Sequence, residues 1–106
     1  RVLLGENKVC GLTREQDAQA AYEAGAIYGG LIFVESSPRA VNEEQAHKVM
    51  AAAPLSYVGV FRNADINDVA AKADALSLSA VQLHGDEDQA YIDALRHVLA
   101  PQVQIW

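Results

Sequence analysis

The residue in this sequence best suited to proton chemistry is Cys10, its single cysteine, within the segment NKVCGLT at residues 7–13. The run Lys8–Cys10 is typical of a short buried strand, Gly11 interrupts it, and Thr13 is typical of a helix start. In proteins that alternate strands and helices, ligands bind where the strands end and the helices begin. A thiol placed there can remove a proton from a bound substrate, whereas a buried and inert cysteine is the structural alternative.

Polar side chains also follow three further predicted strands. Arg39 closes the polar loop ESSPR after the second strand, Arg62 follows the third strand, and His84 ends the fourth strand. A guanidinium is shaped to bind a carboxylate, and an imidazole titrates near neutral pH. By residue type alone, solvated loop arginines and a structural histidine at a strand end are the favoured interpretations.

No group of side chains has the sequence spacing of a metal site. His47 and His97 fall within predicted helices, where we expect them on the surface, and the acidic run at residues 86–88 is typical of a helix start. No strand is followed by a Gly-x-Gly-x-x-Gly turn or a Walker-type phosphate loop, which argues against a nucleotide site. We therefore expect no metal and no cofactor.

Length and composition restrict the class of protein. The 106 residues, 51% of them hydrophobic, are expected to form one domain with a genuine core. The net charge of −6 argues against nucleic acid and anionic membranes as partners, although a small anionic ligand can still be held locally. One cysteine cannot form an internal disulfide, residues 1–6 lack the apolar core of a signal peptide, and the longest apolar stretch, residues 25–34, is too short to cross a bilayer. We expect a cytoplasmic protein.

Five short apolar runs predict strands, and the stretches between them repeat at helical spacing. The strands are predicted at Lys8–Cys10, 26–34, 55–61, Ala80–Leu83 and 103–106. The helices are predicted over residues 13–25, 42–54, 66–76 and 86–99, with capping pairs Thr13 and Gln16, Asn42 and Gln45, and Asp86 and Gln89.

This order of elements predicts an α/β protein built from parallel βα units. Two architectures fit the spacing, an open doubly wound sheet and part of a (β/α)8 barrel, and composition does not decide between them. Residues 1–6 carry no clear pattern, so we interpret them as a leader or linker preceding a domain at residues 7–106.

Four segments together resemble the first four βα units of phosphoribosylanthranilate isomerase, a (β/α)8 TIM-barrel enzyme of tryptophan biosynthesis. In chain order they read KVCGLT, YGGLIFVESSPRAV, YVGVFRN and AVQLHGDE. The resemblance implies that residues 7–106 form the N-terminal half of a TIM barrel, with four βα units and the start of a fifth strand. The opening RVLLGE resembles the connector of bifunctional enzymes in which an indole-glycerol-phosphate synthase domain precedes the isomerase, which implies a fused synthase upstream.

The resemblance also implies roles for individual residues. Cys10 matches the general base that removes the C2′ proton of the ring-opened sugar during an Amadori rearrangement of phosphoribosylanthranilate. Arg39 matches the arginine that holds the anthranilate carboxylate. We place His84 with the substrate-binding residues, without a defined role in the mechanism. The family's general acid, an aspartate on the sixth strand, and its phosphate-binding loops have no counterpart in these 106 residues.

Two other interpretations remain open at this point. The chain is either a catalytically inactive half-barrel that self-associates through its outer strands, or part of an isomerase or epimerase acting on another small sugar phosphate. Enzymes of the latter kind usually transfer protons with carboxylates or a metal, so the lone thiol of Cys10 favours the anthranilate enzyme.

Overall fold

The structure, a computed structural model, describes residues 2–4, 8–34, 36–83 and 85–106. Six strands form one sheet: β1 (Val2–Leu4), β2 (Lys8–Cys10), β3 (Tyr28–Ile32), β4 (Ser56–Phe61), β5 (Ala80–Leu83) and β6 (Gln104–Ile105). Four helices connect the strands from β2 onward: α1 (Glu15–Glu23), α2 (Glu43–Ala52), α3 (Ile66–Ala75) and α4 (Gln89–Val98). The five predicted strands and four predicted helices are therefore all present.

The strands lie in the sheet in the same order as in the chain, and β2 through β6 pair in parallel. A doubly wound sheet reverses its strand order at a switch point, whereas a barrel adds each new strand to the same edge. The sequential order therefore excludes the doubly wound alternative for the described strands. It also brings the carboxyl ends of β2 to β6 to one rim, where ligands bind in such proteins.

The first strand was not predicted. Val2–Leu4, part of the segment interpreted as a leader or linker, pairs antiparallel with β2, with Val2 opposite Cys10 and Leu4 opposite Lys8. A three-residue strand has too few residues to show a period of its own, and it forms because β2 offers a free edge. The linker role of residues 1–6 stays a prediction.

One of the three predicted helix caps is confirmed, and two are wrong. The Asn42 side chain accepts a hydrogen bond from the backbone N–H of Gln45 (2.8 Å), as predicted. The α1 helix instead has Arg14 as its N-cap, with no side-chain capping bond. The hydroxyl of Thr13 lies 3.5 Å from a carboxylate oxygen of Asp17, one turn into the helix, rather than on a backbone N–H.

The start of α4 also differs from the prediction, by two residues. Asp88, and not Asp86, is the N-cap, and its side chain accepts from the backbone N–H of Tyr91 (2.9 Å). The reason is that the loop before α4 is tied to the preceding βα loop by Glu87, so the helix cannot begin earlier. All three acidic residues have the local polarity of a cap, and only the long-range contact selects among them.

The sheet has two faces with different coverings. The helix-side core contains the large, fully buried side chains Leu12, Leu31, Val49, Phe61, Val69, Val81 and Leu95. Val58, Val60 and Ala80 are also buried but lie outside that core, on the concave face. The sheet is curled strongly enough that Lys8 on β2 donates a hydrogen bond to Gln82 on β5. This curvature is what a partial barrel requires.

Candidate active site

The thiol of Cys10 lies at the carboxyl end of β2 and is half-buried. A Cβ added to Gly30 on the neighbouring strand would lie only 2.8 Å from Cys10 Sγ. The glycine therefore makes room for the sulfur between the two strands. Because strand side chains alternate, Cys10 shares the concave face with Lys8 rather than pointing into the helix-side core.

The turn that follows Cys10 is held by β3. Gly11 has φ +81°, a left-handed conformation that favours glycine. Its backbone N–H and that of Leu12 both donate to the carbonyl oxygen of Gly30, at 3.1 and 3.0 Å. This shared acceptor fixes the direction in which the chain leaves the strand, and with it the position of the thiol at the rim.

The loop after β3 folds back onto the strand that precedes it. The backbone N–H of Ser37 donates to the Val34 carbonyl (2.9 Å), and that of Val41 donates to the Ile32 carbonyl (2.9 Å). The Ser37 hydroxyl accepts from the backbone N–H of Arg39 (3.2 Å). Two consecutive turns therefore bring Arg39 back over the sheet rim instead of leaving it at the tip of a long loop.

The structure places the Arg39 side chain against Gly11, the residue that follows Cys10. A Cβ at position 11 would lie 2.8 Å from Arg39 Cδ and 3.1 Å from its Nη1, so the guanidinium arm lies directly against the residue that follows the thiol. Arg39 is exposed, and no described residue accepts a side-chain hydrogen bond or ion pair from its guanidinium. A guanidinium with no partner among the described residues, next to the residue that follows the thiol, can hold an anionic ligand near a base.

His84, the third predicted site residue, lies outside the described residues. Asn63 and residues 85–87, which the structure does describe, are joined by hydrogen bonds. The Glu87 carboxylate accepts from the backbone N–H groups of Gly85 (2.8 Å) and Asn63 (2.7 Å), and the Asn63 side-chain oxygen accepts from the backbone N–H of Asp86 (2.9 Å). We call this the Asn63–Glu87 clamp; it joins the loops after β4 and β5 at the rim.

Sequence reasoning missed both partners of the clamp. Asn63 has φ +48°, a conformation that asparagine tolerates better than most residues. An asparagine in a loop was the one signal in the sequence, and the backbone angle is known only from the structure. Arg62, which we interpreted as a solvated loop residue, is exposed, although its Cγ would lie 2.8 Å from a Cβ at Gly85.

Lys8 is a further residue that sequence reasoning did not single out for chemistry. It is buried on the concave face, where its ammonium donates to the side-chain oxygen of Gln82 and lies 5.0 Å from the centre of the Trp106 ring. Burial lowers the pKa of Lys8, while a negative charge at Cys10 would raise it. The available signal was a lysine within an apolar strand, two residues before the thiol.

Other parts of the described chain are less suited to this chemistry. A cavity of about 810 Å³ opens at the opposite end of the sheet, where Tyr28, Ser56 and Gln104 begin their strands. In barrels that end serves stability rather than catalysis. The described residues contain no group of three His, Cys, Asp or Glu side chains placed to hold a metal ion. None of the described helices has the length and apolar character needed to span a membrane. His47 and His97 are exposed on helices, as predicted.

Residues 7–106 match the family model described as N-(5′-phosphoribosyl)anthranilate (PRA) isomerase. Among curated relatives, the tryptophan biosynthesis protein TrpCF of Salmonella typhi is 74% identical over 106 residues, which is 100% of this chain and 24% of that protein. The chain therefore spans about a quarter of the length of the curated relatives it matches.

Solved structures agree with this match. The monomers generated from the dimeric phosphoribosylanthranilate isomerase of Thermotoga maritima superpose with a TM-score of 0.81 at 33% identity, over 92% of this chain and 50% of that one. An isomerase in complex with reduced 1-(o-carboxyphenylamino)-1-deoxyribulose 5-phosphate gives a TM-score of 0.82 at 31% identity, with the same coverage. The prediction of half a TIM barrel built from parallel βα units is confirmed.

Proposed function

Since the chain belongs to the N-(5′-phosphoribosyl)anthranilate isomerase family through residues 7–106, we propose that it supplies the N-terminal half of an isomerase barrel. The reaction is the Amadori rearrangement of phosphoribosylanthranilate in tryptophan biosynthesis, an intramolecular oxidation and reduction. Family membership favours this enzyme over a purely structural module.

The observation that supports the proposal most directly is the packing of Arg39 against Gly11, the residue that follows Cys10, at the carboxyl rim. In this mechanism the Cys10 thiolate takes the proton from C2′ of the ring-opened sugar. The electron pair of the broken C–H bond forms a C1′–C2′ double bond, and the C1′=N bond of the protonated imine becomes the lone pair on nitrogen. The resulting enolamine then takes up a proton at C1′ while its C2′ hydroxyl loses one and becomes the ketone. No external oxidant or reductant is needed, because C2′ is oxidised as C1′ is reduced.

Arg39 holds the anthranilate carboxylate during this step. Its guanidinium is exposed and free of described protein partners, and a planar fork binds a carboxylate through two parallel hydrogen bonds. The ligand bound to one solved relative, reduced 1-(o-carboxyphenylamino)-1-deoxyribulose 5-phosphate, carries such an aromatic carboxylate. We also propose that His84 takes part in substrate binding.

The remaining parts of the catalytic machinery lie on other segments. We assign the general acid and the phosphate-binding loops to the second half of the barrel, which the solved relatives possess and this chain does not span. We further propose a fused indole-glycerol-phosphate synthase domain upstream and a cytoplasmic location, since the matching curated relatives are tryptophan biosynthesis proteins several times longer than this chain.

The test is the loss of phosphoribosylanthranilate fluorescence, measured with a polypeptide of the relatives' length and with residues 1–106 alone. The long polypeptide is expected to be active and the 106-residue chain inactive. Cys10→Ala in the long polypeptide should lower kcat by about 10²- to 10⁴-fold with little change in KM, as expected for the loss of a general base. Unchanged turnover in Cys10→Ala would remove the assignment. Turnover of another aldose phosphate with none of phosphoribosylanthranilate would support the alternative substrate.

We also propose that residues 1–106 self-associate when expressed alone. Among the described strands, the two-residue strand β6 is paired on one side only. In a closed barrel, further strands pair with such an edge and enclose the concave face of the sheet. Sedimentation at increasing protein concentration is expected to show dimers or larger species. A monomer at all concentrations would contradict this.

A further inference from the structure

Lys8 is the one polar or charged residue that is buried among the described residues, with 7% of its surface exposed. Lysine is almost never buried unless a partner offsets the loss of hydration. A carboxylate is the usual partner, yet within residues 8–34, 36–83 and 85–106 no carboxylate forms an ion pair with Lys8. The position of this charge therefore requires another explanation.

Two uncharged side chains hold the Lys8 ammonium in place. The side-chain oxygen of Gln82, a residue of β5, accepts a hydrogen bond from the Lys8 ammonium. The centre of the Trp106 ring lies 5.0 Å from the same ammonium. The Tyr28 ring meets the Trp106 ring edge to face, with centres 5.2 Å apart, which orients the indole. A cation–π contact and one neutral hydrogen bond keep the ammonium in place but do not neutralise it.

The group that can complement this charge is Cys10. The two residues are separated by one position in β2, so both project onto the concave face. Burial lowers the pKa of Lys8, and a negative charge at Cys10 acts in the opposite direction. A buried ammonium on the same strand face as a thiol is placed to act as its counter-charge when the thiol ionises.

No other described group near the thiol of Cys10 combines a positive charge with burial. Arg39 approaches from the loop after β3, but it contacts Gly11 and is exposed, so water screens its charge. From β3, Gly30 packs against the sulfur without a side chain of its own. Lys8 is thus the buried cation on the thiol's own face.

We propose that Lys8 is a positioning residue for Cys10: its buried ammonium, held by Gln82 and Trp106, is the counter-charge that favours the thiolate. The inference rests on the proposed function, in which Cys10 is the base, and adds to it the group that activates that base. In this proposal Lys8 acts through Cys10.

Alkylation of Cys10 tests this without relying on turnover. Iodoacetamide is neutral and iodoacetate is anionic, so the ratio of their rates reports the charge around the sulfur, with Cys10 followed by mass spectrometry in the long polypeptide. Lys8→Met should slow both reactions, by about tenfold for iodoacetate and less for iodoacetamide, since one buried charge contributes about one order of magnitude. Lys8→Arg keeps the charge and should restore the ratio. Lys72→Met, which removes a lysine that also faces a ring, is the matched control and should change nothing.

Parent rates for both reagents in a folded Lys8→Met variant would overturn the proposal. Should Lys8→Met fail to fold by circular dichroism, the Arg39→Ala variant is compared with a free peptide of residues 7–13. That variant should keep a higher iodoacetate to iodoacetamide ratio than the peptide, and an equal ratio would overturn the proposal.

Turnover then separates the two proposals. In an active enzyme, Lys8→Met should lower kcat by about tenfold, the effect of a smaller thiolate fraction, while KM stays within about twofold. Lys8-dependent alkylation in a polypeptide that lacks isomerase activity would remove the proposed function and leave the role of Lys8 intact. If the enzyme is an active isomerase but alkylation of Cys10 does not depend on Lys8, the proposed function stands and the role of Lys8 is removed.

Discussion

The side chain of Arg39 lies against the backbone of Gly11, where a Cβ would come within 2.8 Å of Arg39 Cδ. The absence of a side chain at Gly11 affects both the turn after Cys10 and the space available to Arg39. The left-handed turn at Gly11 aims the preceding thiol at the rim, and the open space above it admits the arginine that approaches from the next loop. Glycine at this position therefore suits the turn, and a side chain there would displace the arm of Arg39.

Gly11→Ala is expected to affect both the turn and Arg39. The left-handed conformation at φ +81° should cost about 1–2 kcal/mol of stability, and the displaced guanidinium should raise KM for phosphoribosylanthranilate by about tenfold. Gly25→Ala is the matched control, because Gly25 also has positive φ (+93°) but nothing lies within 4 Å of its added Cβ. Both variants should lose stability in urea unfolding, and only Gly11→Ala should raise KM. Equal KM values would show that Arg39 tolerates the methyl group.

Arg39→Ala is expected to weaken binding of reduced 1-(o-carboxyphenylamino)-1-deoxyribulose 5-phosphate by about 1.5–3 kcal/mol, the contribution of a hydrogen bond to a charged group. Calorimetry with the same compound lacking its carboxyl group should show little further loss. Arg39→Lys should recover only part of the affinity, because an ammonium lacks the planar fork. Arg62→Ala, an exposed arginine on the same rim, serves as the control. Equal losses for both ligands would exclude Arg39 as the carboxylate partner.

The Asn63–Glu87 clamp should behave as one unit. Glu87→Gln removes one of two charge-assisted bonds to the backbone, and Asn63→Ala removes the acceptor for the Asp86 N–H. Each change should cost about 1–2 kcal/mol, and the double variant should cost less than their sum by at least 0.5 kcal/mol, in about the range seen for coupled neighbours. Asp86→Asn is the control, since only its backbone takes part. Additive losses in a double-mutant cycle would mean that the two loops are held independently.

Local signals predicted most of the fold. The β5 strand at Ala80–Leu83 has the predicted bounds, and Asn42 caps α2 as its spacing with Gln45 indicated. Each depends on residues adjacent in the chain, so a single sequence contains the information. The positions of Cys10 and Arg39 at the same rim followed in turn from the parallel order of the strands.

Contacts between distant residues explain what could not be predicted. The strand Val2–Leu4 forms on the free edge of β2, and the start of α4 is chosen by Glu87 binding the Asn63 backbone 24 residues away. The hydrogen bond from Lys8 to Gln82 spans 74 positions. None of these pairs has a periodicity or a cap motif that would reveal it in the chain.

The Tyr57 phenol should make stability fall at high pH. Tyr57 is buried on the helix side and donates a hydrogen bond to the Ala53 carbonyl (2.7 Å), and burial raises its pKa from 10.0 to about 12. Between these two values the unfolded chain has already lost the proton that the folded chain keeps. Stability is therefore lost as pH rises from 10 toward 12, by about 1–3 kcal/mol for a shift of this size.

Tyr57→Phe separates this titration from the hydrogen bond. Near pH 7 the variant should be less stable by about 0.5–1.5 kcal/mol, because the Ala53 carbonyl loses its donor. Above pH 10 the gap should close and then reverse, since phenylalanine has no proton to lose. Tyr22→Phe, at a tyrosine that is 50% exposed, is the matched control and should follow the parent at every pH. Urea midpoints of the three proteins between pH 7 and pH 12 provide the measurement. A constant gap between parent and Tyr57→Phe across that range would show that the buried phenol does not govern the alkaline loss of stability.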